Sequence, residues 1–214
     1  MKLLQNGEPG VLVLLPVYRH GSQDYSPEAR RLYLRRYAGT TKRVLFVGMN
    51  PGPFGMAQTG VPFGAVEEVR RWLGIEAPVG RPAREHPKRP VEGFACPRNE
   101  VSGARLWGAI AERFRTPERF FRRHFVANLC PLLFLEASGR NRTPDKLPEA
   151  ERTALLTACR HHLLRLALLL EPEWVVGIGA FAADHAREAL AGTPVRVARI
   201  LHPSPANPRA GARW

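Results

Sequence analysis

Asn50, Asn128 and His202 are the residues whose types and settings point most directly to chemistry in this sequence. Each stands at or just past the end of a short apolar run. Val44-Leu45-Phe46-Val47 precedes Asn50, Phe125-Val126-Ala127 precedes Asn128, and Val195 to Leu201 precedes His202. An asparagine amide offers one acceptor and two donors, the complement of an imide edge with its carbonyl and N–H. A histidine can donate a hydrogen bond to charge developing on a leaving group. Phe54 or Phe63 could stack on a flat ring. The trio therefore suggests recognition of a polar planar ligand. Metal chemistry fits poorly: His161 and His162 are adjacent, about 100° apart on a helix, and no H-x-x-x-H spacing occurs. There is also no Walker A loop, no G-x-S-x-G elbow and no dinucleotide G-x-G-x-x-G.

The elements that must position these residues begin with the run Val44–Val47, a short buried strand. It breaks at Gly48 into a loop with Gly52, Gly55, Gly60 and Gly64, stiffened by Pro51, Pro53 and Pro62, with Asn50 and Gln58 among them. Glycine permits close backbone approach to a ligand and proline lowers the entropy of holding the path. Upstream, residues 1–25 read as mostly irregular, and Ser26-Pro27-Glu28 opens a helix to about Tyr37. Downstream, the pattern predicts helices over 64–73, 103–114 and 116–122, a strand over 125–129, and a helix over 149–170. A strand over 174–178, a helix over 180–191 and a strand over 195–201 follow. Residues 74–102, with five prolines, form a long connection of the kind compact domains keep for function.

Near-continuous apolar strands separated by helices describe a parallel sheet covered on both faces. The expected fold class is α/β: a three-layer α/β/α sandwich with a central four-stranded, mainly parallel sheet, in one domain over 1–214. Ligands of such folds bind at the carboxyl ends of the strands, so Asn50, Asn128 and His202 are expected on one edge.

The charge balance points to a partner. Lys+Arg 32 against Asp+Glu 19 gives +13, an excess suited to a polyanion such as nucleic acid. Only Lys2, Lys42, Lys88 and Lys146 are lysines, and the arginine bias suits bidentate phosphate contacts. Cys96, Cys130 and Cys159 lack C-x-x-C spacing, which excludes a four-cysteine zinc or iron–sulfur site made by one chain and argues against a secreted disulfide scaffold. The N-terminus lacks the apolar run of a signal peptide, and the longest apolar segment, Leu163 to Leu170, is interrupted by Arg165 and too short to span a bilayer. An intracellular soluble protein without membrane contact is expected.

The stretch Gly48 to Gly64 resembles the first motif of the single-strand-selective monofunctional uracil-DNA glycosylases. His202-Pro203-Ser204-Pro205 followed by Asn207-Pro208 resembles their second. His86-Pro87-Lys88-Arg89-Pro90, Glu100 to Arg105, Asn128 to Leu132 and Ser138 to Asn141 resemble the family too, so the similarity covers about Arg43 to Trp214. The resemblance implies the uracil-DNA glycosylase fold and hydrolysis of the N-glycosidic bond of flipped-out uracil, leaving an abasic site. It extends to 5-substituted uracils such as 5-hydroxymethyluracil. It implies that Asn50 holds the attacking water, Phe63 stacks on the base, Asn128 reads the pyrimidine edge, and His202 stabilises charge on departing O2. Main-chain groups of Met49 and Gly52 complete the pocket, while Ser204, Pro205, Asn207 and Arg209 contact DNA.

No metal or cofactor is implied. The implied partners are single- and double-stranded DNA containing uracil, met by a monomer in the cytoplasm or nucleoid of a bacterium or the nucleus of a eukaryote. Two departures stand out: Ala206 replaces the family's usual arginine in the duplex-wedging loop, and the sequence stops at Trp214 where relatives commonly continue into a further helix. The alternatives are a mismatch-specific uracil/thymine glycosylase of the same superfamily and a nucleic-acid-binding protein that has lost catalysis. Activity on thymine opposite guanine, or the absence of strand cleavage after alkali, separates them.

Overall fold

Four of the apolar runs pair into one sheet, because strands this apolar must bury both faces. A computed structural model describes residues 12–14 (backbone), 28–82 and 85–205. In chain order the elements are β1 (Leu12–Leu14), α1 (Glu28–Tyr37), β2 (Val44–Gly48), α2 (Met56–Thr59), α3 (Val66–Arg71), α4 (Val101–Phe114) and α5 (Pro117–Phe121). Then come β3 (His124–Asn128), β4 (Leu133–Leu135), α6 (Glu149–Leu170), β5 (Trp174–Ile178), α7 (Ala180–Ala189) and β6 (Arg196–Ile200).

The central sheet has the order β3-β2-β5-β6, and every pair in it is parallel. Two layers of helices cover it. On one face lie Leu45, Phe125 and Val175, aligned in register. There Tyr33 of α1 packs on Phe125 with ring centroids 5.2 Å apart and donates its hydroxyl to the Val126 carbonyl at 2.9 Å. On the same face α7 approaches so closely that a Cβ on Gly177 would sit 2.4 Å from the Ala183 backbone, which is why glycine stands there. The other face carries an aromatic layer. Phe46 and His124 stack with Phe120, and Trp107 of α4 meets Phe120 edge to face. Trp107 is fully buried, and a side chain that large contributes on the order of 2–3 kcal/mol through burial alone. Among the described residues no helix is long and apolar enough to cross a membrane.

The expected helices and strands form, with shifted edges. The helix expected from Gly103 begins at Val101, and the one expected over 64–73 covers Val66–Arg71, with Val66, Val69 and Leu73 buried. Thr116 caps α5 by accepting from the Arg119 N–H at 3.4 Å, while Ser26 and Pro27 lie outside the described residues. Two features depart from the sequence pattern. The short run Leu12–Leu14, expected in an irregular region, pairs antiparallel with Leu133–Leu135, forming a second, two-stranded sheet. Three-residue strands give too few repeats to show period-two patterning. The glycine-rich loop also contains the single turn α2, closed by Gly60 at φ 71°.

Candidate active site

Parallel strands deliver their carboxyl ends to one edge, and register fixes what meets there. Gly48 of β2 pairs with Asn128 of β3, and the chain beyond both continues in step, Cys130 N–H donating to the Met49 carbonyl at 2.9 Å. On the far side β5 ends in Gly179 at φ 94°, whose N–H donates to the Ile200 carbonyl of β6 at 2.9 Å. With no side chain on Gly179, the loop after β6 lays His202 across the end of β5, a Cβ position there being 3.4 Å from His202 Cβ. A cavity of about 300 Å³ opens at this edge.

Its walls include Met49, Asn50, Gly52, Phe63, Asn128, His202 and Ser204. These are seven of the residues expected at the site. Pro205 is exposed beside Ser204 and does not line the cavity. Asn207 and Arg209, together with Ala206, lie outside the described residues. Phe54 also stays out of the cavity: the guanidinium groups of Arg89 and Arg98 lie 5.2 and 4.8 Å from its ring centre. Gln58 is a clamp. It is buried, donates to the carbonyls of Pro53 and Pro90 at 2.9 and 3.0 Å, and accepts from the N–H groups of Glu92 and Gly93 at 2.8 and 3.0 Å. All four of its hydrogen-bonding capacities are thus used in tying the glycine-rich loop to the long connection.

Phe63 is held in the left-handed region at φ 54°, uncommon for an aromatic residue. Its neighbours leave it no alternative. A Cβ on Gly48 would lie 2.5 Å from its ring, one on Gly103 would lie 2.1 Å from its carbonyl, and the Trp107 indole N–H donates to the preceding Pro62 carbonyl at 3.2 Å. The glycines let the ring pack against the end of β2, beside Asn128.

His202 accepts the Ser204 N–H on Nδ1 at 3.1 Å. A nitrogen that accepts carries no proton, so the proton of the neutral ring is on Nε2. Burial lowers its pKa and keeps the imidazole neutral near pH 7. Asn50 donates Nδ2 to the carbonyl of Pro51 at 3.2 Å. A carbonyl only accepts, which fixes the orientation of the amide and leaves Oδ1 as an acceptor. Asn128 donates Nδ2 to Met56 Sδ at 3.2 Å, and its buried Oδ1 has no partner among the described residues.

Four further residues line the cavity without having been singled out from the sequence: Glu100, Ser102, Asn141 and Thr143. The Glu100 carboxyl lies against glycine backbone, where a Cβ on Gly52 would meet Oε2 at 2.5 Å. Burial pushes its pKa up to about 7. Ser102 and Glu100 stand at the start of α4, and Arg105 one turn on donates to the Pro203 carbonyl at 3.0 Å. The stretches carrying Glu100 and Asn141 were visible as motif-like, but irregular connections have no period from which a side chain's direction could be read.

The model of the uracil DNA glycosylase superfamily matches residues 36–213 of this chain. The single-strand selective monofunctional uracil DNA glycosylase of Mus musculus is 53% identical over 213 residues, covering 99% of this chain and 74% of the mouse protein. The protein of the same name from Bos taurus is 54% identical over 193 residues, covering 89% of this chain and 71% of its own length. The crystal structure of wild-type Pedobacter heparinus SMUG2 is similar in fold, with a TM-score of 0.65 over 94% of this chain and 82% of that one, at 19% identity.

Proposed function

The chain belongs to the uracil DNA glycosylase superfamily, and from that premise we propose that it is a monofunctional DNA repair glycosylase that excises flipped-out uracil. The observation that carries the mechanism is the convergence of Asn50, Asn128 and a neutral His202 with its proton on Nε2 around one cavity. The flipped base stacks on Phe63, and Asn128 Oδ1, otherwise unpartnered, accepts its N3–H. Asn50 Oδ1 accepts a hydrogen bond from water and aims its oxygen at C1′. As the C1′–N1 bond breaks, its electron pair moves into the ring toward O2, where His202 Nε2–H donates to the growing charge. Water oxygen bonds to C1′, its surplus proton is released, and an abasic site and free uracil result.

The resemblance of the glycine-rich loop to the family's first motif supports excision of 5-hydroxymethyluracil as well. Among the described residues no lysine lines the cavity, and Lys42 is buried elsewhere, donating to the Phe121 carbonyl at 2.7 Å. That arrangement supports hydrolysis without a covalent amine intermediate. Single-stranded DNA is the favoured partner, double-stranded DNA a poorer one, at the intracellular site of the genome.

The test is release of free base from single-stranded and duplex oligonucleotides carrying uracil, 5-hydroxymethyluracil or thymine opposite guanine. Uracil and 5-hydroxymethyluracil should be released and borohydride should trap no adduct. Release of thymine would place the chain with the mismatch-specific enzymes instead, and no release of any base would leave it a binding protein.

A further inference from the structure

We propose that Asn141 is a second catalytic acceptor for the attacking water, working opposite Asn50. The inference rests on the glycosylase reading above and adds a residue to its reacting centre. Asn141 lines the cavity and donates Nδ2 to the Pro51 carbonyl at 3.2 Å. Asn50 donates to that same carbonyl oxygen, also at 3.2 Å. Since the shared oxygen can only accept, both amides present nitrogen to it and both keep Oδ1 as an acceptor. The Asn141 Oδ1 is buried and unpartnered among the described residues. A buried acceptor left without a donor costs about 1–3 kcal/mol, so a native site that keeps one awaits a ligand that supplies a donor.

The inventory of donors in the reacting complex decides which one. Uracil in DNA has a single N–H, at N3, and neither the deoxyribose within a strand nor the phosphates carry a donor. Two cavity acceptors stand unpartnered, Asn128 Oδ1 and Asn141 Oδ1. Asn128 adjoins the Phe63 ring on which the base stacks: a Cβ on Gly48 would touch both, at 2.6 Å and 2.5 Å. Asn128 is therefore placed for N3–H. Of the donors that substrate and nucleophile bring, that leaves the attacking water, whose two O–H bonds match Asn50 and Asn141. Asn141 is also held stiffly enough for the task. Its bridge to Leu135 and the Arg142 N–H bond to the Phe134 carbonyl at 2.9 Å fasten it to β4, and Gly139 at φ 81° turns the chain back onto that strand. Two fixed acceptors restrict both the position and the rotation of a water molecule, which lowers the entropy lost on reaching the transition state.

Single-turnover kinetics on single-stranded uracil DNA test this. Asn141→Ala should slow base release by about ten- to a hundredfold, while inhibition by free uracil, which contains the base and no attacking water, stays as in the unmodified protein. Asn141→Asp keeps an acceptor but loses the donor to Pro51. Its rate should recover toward wild type as pH rises and the carboxylate ionises, a step additional to the His202 titration that the wild type and the alanine variant share. If Asn141→Asp is as slow as Asn141→Ala at every pH, Asn141 only braces Pro51 and the proposal is wrong. Weaker inhibition by free uracil in Asn141→Ala, or a loss confined to 5-hydroxymethyluracil, would make it a base contact and equally overturn the proposal. Full activity in Asn50→Ala would instead remove the glycosylase mechanism itself, an outcome the Asn141 variants do not produce.

Discussion

The guanidinium of Arg105 donates to the Pro203 carbonyl at 3.0 Å, joining α4 to a loop 98 positions away in sequence. That loop follows β6, an edge strand with one sheet partner, and carries His202. Its anchoring therefore falls to the few bonds around the His-Pro-Ser turn. Arg105→Ala should lower the single-turnover rate about tenfold by letting His202 drift, with modest loss of melting temperature. Arg105→Lys, which keeps a donor but lacks the fixed planar fork, should fall between. An unchanged rate in Arg105→Ala, beside a full loss in His202→Ala, would show that other contacts hold the loop.

In the proposed mechanism Asn50 and His202 act on different partners, the water and the leaving base. Each should contribute about 3 kcal/mol to transition-state stabilisation, by comparison with removal of an oxyanion donor. Alanine at either position should slow single-turnover release about a hundredfold or more while binding of uracil DNA changes by a few fold at most. Collapse of binding in a gel-shift titration would assign them a structural role.

How far the site was legible follows from where its residues sit. Asn50, Asn128 and His202 each follow an apolar run, and parallel topology sends the ends of such runs to one edge, so their convergence could be argued before any coordinates. Glu100 and Asn141 belong to connections without periodicity, and their directions depend on contacts with Gly52 and Pro51, far away in sequence. The role of Gln58 was open for a related reason: a polar residue in a glycine-rich loop is equally suited to holding a ligand or holding its own loop. Its four hydrogen bonds decide for the second. The helix Glu149–Leu170 matched its expected bounds because Pro148 precedes it and Pro172 follows it, and proline breaks a helix interior.

Gly52 and Glu100 compete for one space. A side chain at Gly52 meets the Glu100 carboxyl before it reaches a base's 5-position, a Cβ there lying 2.5 Å from Oε2. The carboxyl is the end of a flexible side chain and can move, but its exit leads into the cavity. Gly52→Tyr should therefore impair uracil and 5-hydroxymethyluracil alike. Gly52→Ala should slow both, and adding Glu100→Ala should restore part of the loss. Additive losses in that double-mutant cycle would show that the two positions are independent.

Two titrating groups in the cavity pull stability in opposite directions with pH. Glu100 holds its proton up to about 7 in the folded chain, against an ordinary value of 4.5. As pH rises through that interval the unfolded chain releases the proton first, so this contribution to stability is lost and is gone above about 7. His202 has a lowered pKa, so its contribution is present above its ordinary 6.5 and is lost as pH falls through the folded value. Glu100→Gln should thus raise the melting temperature at pH 8 by a few degrees, at about 2–4 °C per kcal/mol, and change it little at pH 4.5. Base release should persist below pH 6.5 until His202 gains a proton on Nδ1 and can no longer accept the Ser204 N–H. A melting temperature equally raised at both pH values would show that Glu100 does not titrate in this window.

Duplex opening is the step on which this chain departs from its family's motif, at Ala206. Taking a base out of a duplex costs a few kcal/mol of unstacking and unpairing, and a side chain filling the vacated space offsets part of that. An alanine has no reach to fill it. Arg209 and Arg213 follow in sequence, with longer, cationic side chains. Single-stranded uracil DNA should therefore be cleaved faster than duplex, with the residual duplex activity depending on Arg209. Ala206→Arg should raise duplex activity and leave single-strand activity nearly unchanged, because an unpaired strand has no gap to plug. Arg209→Ala should lower activity on duplex alone. If Ala206→Arg changes nothing on duplex and Arg209→Ala weakens both substrates equally, with a shallower salt dependence of binding, then Arg209 contacts phosphate and the duplex lacks a wedge in this protein.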